Sequence, residues 1–140
     1  MSEGQHVRSF FSFRMVDRNS NEINLAEFRD KDLIVVINCT TVQQVDEIAP
    51  LYYKIEDKFE KKIQILCLPG NRFFYDGHGE ESERLIVFLK NKSNCHVEDE
   101  DGLTFFIHNK EHIPKDETVT FVGSNLSFKD MTDAITKALN

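Results

Sequence analysis

The chain's alternating and clustered apolar positions mark out its elements in order. Phe11, Phe13 and Met15 alternate with Ser12 and Arg14, which predicts a strand with one buried face. The turn-forming run Asp17-Arg18-Asn19-Ser20-Asn21 then links it, as a hairpin, to Glu22-Ile23-Asn24. Leu25-Ala26-Glu27-Phe28 predicts a short helical turn before the charged corner Arg29–Asp32. The continuous apolar run Leu33 to Ile37 predicts a central strand covered on both faces.

Beyond that strand the period changes. Val45, Ile48, Tyr52, Ile55 and Phe59 recur at spacings of three and four, one stripe of an amphipathic helix. Thr41 with Gln44 three residues on fits a capping box at its start, and Pro50 should kink the helix without ending it. Ile63 to Leu68 reads as a strand stopped by Pro69-Gly70. Asn71 to Glu80 reads as a polar loop carrying Phe73, Phe74 and Tyr75, and Ser82 to Lys90 as a helix. Asn91 to Gly102 reads as a loop with an acidic run at Glu98–Asp101. Leu103 to His108 and Thr118 to Val122 are two further strands, antiparallel to each other. Ser127 opens a terminal helix through Phe128, Met131, Ile135 and Leu139. The order gives two βαβ-like units around a buried strand, hence an α/β protein with a central mixed β-sheet flanked by helices and an N-terminal β-hairpin extension.

Composition narrows the function classes. The 140 residues are the size of one domain, 1–140, with residues 1–8 read as a disordered tail. A net charge of −7 disfavours nucleic acid and anionic lipid as partners, since both are polyanions. The longest apolar run is too short for a membrane span, and the first residues lack the pattern of a secretory signal, so the expected compartment is cytoplasmic or nuclear. Cys39, Cys67 and Cys95 are too widely spaced for a zinc motif and odd in number, and read as reduced thiols. The five histidines show no metal-binding pairing, and the Glu98–Asp101 run lacks the alternating ligands of a calcium loop, so no metal or cofactor is expected.

The segment from Leu33 through Cys39-Thr40-Thr41-Val42-Gln43-Gln44-Val45 to Ile48-Ala49-Pro50 resembles the strand, Cys-x-x-Cys and Ile-Ala-Pro helix of the thioredoxin-like superfamily. From Ser9 to Asn71 the chain looks like the glutathione peroxidase, peroxiredoxin and TlpA branch. There Ile65-Leu66-Cys67-Leu68-Pro69-Gly70-Asn71-Arg72-Phe73 is similar to a peroxidase segment reading Phe-Pro-Cys-Asn-Gln-Phe. The Leu103–Leu139 tail is similar to the last two strands and helix of thioredoxin. The resemblance implies a thioredoxin-like fold.

That resemblance also locates what is missing. Two registers, one from each side, place the family's nucleophilic cysteine on Val42, and Val45 takes the second cysteine's position. The activating glutamine of the peroxidases falls on Asp76, the cis-proline of thioredoxins on about Leu103, and the peroxidases' resolving cysteine on Gly70. The family's tryptophan has no counterpart, because the chain contains none. These departures imply a pseudoenzyme acting as a protein-interaction or scaffold module. Its partner would be another protein or a second copy, gripped around Thr41, Val42, Gln43, Gln44, Asn71 and Leu103. The alternative is a divergent thiol peroxidase or thiol-disulfide oxidoreductase using Cys39, with Cys67 as resolving thiol. Cys39 closes a strand beside a helix N-terminus, where the dipole favours thiolate, but a small residue packing at the strand end is the stronger reading. A small-molecule binder using the vestigial cleft is a third class.

Overall fold

Leu33–Asn38 forms strand β3, and its five apolar residues are all buried because both faces of the sheet are covered. The computed structural model describes residues 9–16, 21–39, 42–68, 80–99, 101–109 and 118–140. Before β3 come β1 (Arg14–Val16) and β2 (Glu22–Asn24), and after it α1 (Val42–Lys58), β4 (Ile63–Leu68) and α2 (Glu80–Ser93). The chain ends with β5 (Leu103–His108), β6 (Thr118–Ser124) and α3 (Phe128–Leu139). The main sheet has the order β4-β3-β5-β6, and β1 and β2 form a separate antiparallel hairpin with Arg14 opposite Asn24. This is the expected mixed sheet with a hairpin extension.

Alternation along the strands sorts the core into two layers. Leu33, Val35 and Ile37 of β3, with Ile63, Ile65 and Cys67 of β4, face α1 and α3 and pack on Ile55, Met131 and Ile135. Ile34 and Val36 face the other way, towards the N-terminal phenylalanines and towards Leu85 and Leu89 of α2. Each strand residue therefore has a fixed side, and the odd positions of β3 lead to Cys39 on the α1 side.

Three expectations are corrected. Phe10–Ser12 is a 3-10 turn rather than the start of a strand. Ser9 caps it by accepting the Phe11 N–H, and the turn buries two consecutive phenylalanines, which a strand with one buried face cannot do. Among the described residues there is one βαβ unit. β4 runs parallel to β3, but β5 joins the far side of β3 antiparallel, so the passage through α2 is not a parallel crossover. Finally, α2 starts and ends beyond the predicted 82–90, and the following loop is correspondingly shorter.

The remaining elements match their patterns. The short turn at Leu25–Phe28 carries a full capping box between Asn24 and Glu27, Pro50 lies inside α1 without ending it, and Ser127 caps α3. The expected cap at Thr41 and the aromatic loop of Phe73, Phe74 and Tyr75 lie outside the described residues. Among the described residues, no helix is long and apolar enough to cross a membrane.

Candidate functional site

Where β3 ends, three separate segments are stitched together by their main chains. The Asn38 carbonyl accepts the Gly102 N–H at 2.6 Å, and the Gly102 carbonyl accepts the Asn125 N–H at 3.0 Å. Gly102 sits at φ +75°, a left-handed conformation in which an added Cβ would run into the Asn125 side chain, so glycine is required there. Asn125 is itself left-handed at φ 52°, which asparagine tolerates better than other side chains. On β6, Phe121 pairs with Phe105 and Gly123 with Thr104, leaving Val122 as the extra residue of a bulge just before this junction. Bulges bend a strand locally, and this one lies where β6 leads into Asn125.

These segments and the first turns of α1 enclose a cleft of about 220 Å³. Ile37, Cys39 and Thr104 supply its buried part, and the half-buried Tyr52 adds an aromatic face. Leu126 contributes an apolar wall, while the exposed Glu47 and half-buried Asp101 bring carboxylates to the opening. The cleft opens at the carboxyl end of β3 and β4, the end of a parallel strand pair at which open α/β sheets place their ligands.

The electrostatics of the cleft oppose a reactive thiolate. Burial pushes the Cys39 thiol up to about 11, and the nearby charge of Asp101 pushes in the same direction. Burial and the neighbouring carboxylate thus both favour the neutral thiol of Cys39 over the thiolate. The Tyr52 hydroxyl is also raised well above its usual range, by burial first and then by the neighbouring Cys67 and Cys39. Cys39, Cys67 and Cys95 are all buried and none is in a disulfide.

No protein-family model and no curated protein sequence matches the chain. A solved structure does: the crystal structure of Trgpx, a glutathione peroxidase, in apo form superimposes with a TM-score of 0.65 at 20% identity, covering 95% of this chain and 96% of that one. The fold is thioredoxin-like, of the glutathione peroxidase type. At this identity the likeness is one of fold.

In this thioredoxin-like frame the expected site residues separate. Val42, Gln43 and Gln44 form the first turn of α1, next to the cleft in sequence, whereas Thr41 and Asn71 lie outside the described residues. Leu103 is fully buried in the layer with Phe10 and Phe105, so its side chain presents no surface to a partner. The residue beside it in sequence, Gly102, shapes the rim instead. Cys39 and Cys67 do share one layer, beneath Tyr52.

Sequence reasoning did not single out Glu47, Tyr52, Asp101, Gly102 or Asn125. The Asp101-Gly102 pair is a turn signal that was legible, and the loop assignment absorbed it. Tyr52 belongs to the helical stripe, and nothing in that spacing distinguishes a core aromatic from one lining a cleft. Among the described residues, no group of three or more histidine, cysteine or acidic side chains is placed to hold a metal ion. His108 lies at the end of β5 opposite Leu33, far along the sheet from the cleft. Its Nε2 is 2.9 Å from the Thr120 hydroxyl, and burial lowers its pKa.

Proposed function

We propose that this chain is a catalytically inactive thioredoxin-fold protein that works as a protein-interaction module, presenting the rim around Val42, Gln43 and Gln44 to a protein partner or a second copy. One observation carries the reading: every thiol in the chain is buried, and the one at the strand exit, Cys39, has its pKa raised to about 11. A peroxidase or disulfide exchanger works through a thiolate that solvent and substrate can reach. At neutral pH a thiol of that pKa is about one part in ten thousand ionised. The apolar Val42 at the head of α1 adds no nucleophile in its place.

The test is a peroxidase assay with hydrogen peroxide and a thiol reductant, run on the purified protein and on Cys39→Ser. The expected result is the same background rate in both. Turnover that disappears in Cys39→Ser would overturn the reading in favour of a divergent thiol peroxidase. Partner capture from native extract, repeated with Val42→Glu, tests the face itself. One specific partner lost in the variant supports the rim, and an unchanged set of partners removes it.

A further inference from the structure

We draw no further inference here: the strongest candidate, the uncharged strand Thr118–Ser124 that ends the sheet beyond β5, carries none because nothing in the structure shows what covers its outer edge.

Discussion

A single hydrogen in place of a side chain lets three segments meet at the cleft's edge. Gly102 adopts φ +75° with its N–H on Asn38 and its carbonyl on Asn125, and the space a methyl group would occupy already holds the Asn125 side chain. Gly102→Ala adds left-handed strain to a steric collision, and each alone is destabilising. The expected loss is about 1–3 kcal/mol, read from chemical denaturation, together with displaced amide resonances at Asn38 and Asn125. The same residue shows why the site was only partly legible. An Asp-Gly pair announces a turn, but which strand end the turn leans on is decided by residues far away in sequence. Leu103 shows the converse: the resemblance put it on the rim, at the cis-proline position of thioredoxins, while strand alternation turned its side chain into the core.

At the scale of elements, one outer edge of the sheet is covered by side chains. β4 ends the sheet on one side, and at its centre the Glu56 carboxylate of α1 accepts the Ile65 N–H at 2.9 Å. The Gln64 amide donates to the same carboxylate at 3.1 Å and to the Ile65 carbonyl at 3.3 Å. Both main-chain groups of Ile65 are thus occupied by side chains of the same molecule, which blunts an edge that would otherwise template another strand. Glu56→Ala is expected to cost about 1–3 kcal/mol by stranding a donor and to raise concentration-dependent association, measured by denaturation and light scattering. Most elements were readable from pattern because their apolar periods are long and uninterrupted, as in Leu33–Ile37 and the α3 stripe of Met131 and Ile135. The Phe11–Met15 alternation misled because Ser9 offers a local cap that competes with strand pairing.

Across the whole molecule, a buried amide ties the corner before β3 to the segment after β5. Asn109, 5% exposed, donates from Nδ2 to the Arg29 and Lys31 carbonyls at 2.8 Å each, and its N–H donates to the Asp32 carbonyl at 2.9 Å. Asn109→Ala leaves two carbonyls without their donor, and about 1–3 kcal/mol of stability should be lost, with hydrogen exchange accelerating at Lys31 and Asp32. Nothing in the sequence flags this asparagine, because its partners are main-chain atoms about eighty residues earlier. The overall architecture was legible, since it follows from the order of elements, but the direction of β5 was not, since helix and strand patterns carry no sign.

That direction has a consequence for how the protein is born. β3 has β4 on one side, supplied within about thirty residues, and β5 on the other, with Leu33 meeting His108 and Asn38 meeting Leu103. A nascent chain that has emerged only as far as α2 therefore carries its most apolar strand with one flank unzipped, a state prone to stick to its neighbours. The ribosome must deliver the polypeptide through His108 before the middle can close, so a message cut short ahead of Leu103 is expected to yield a sticky fragment rather than a smaller protein.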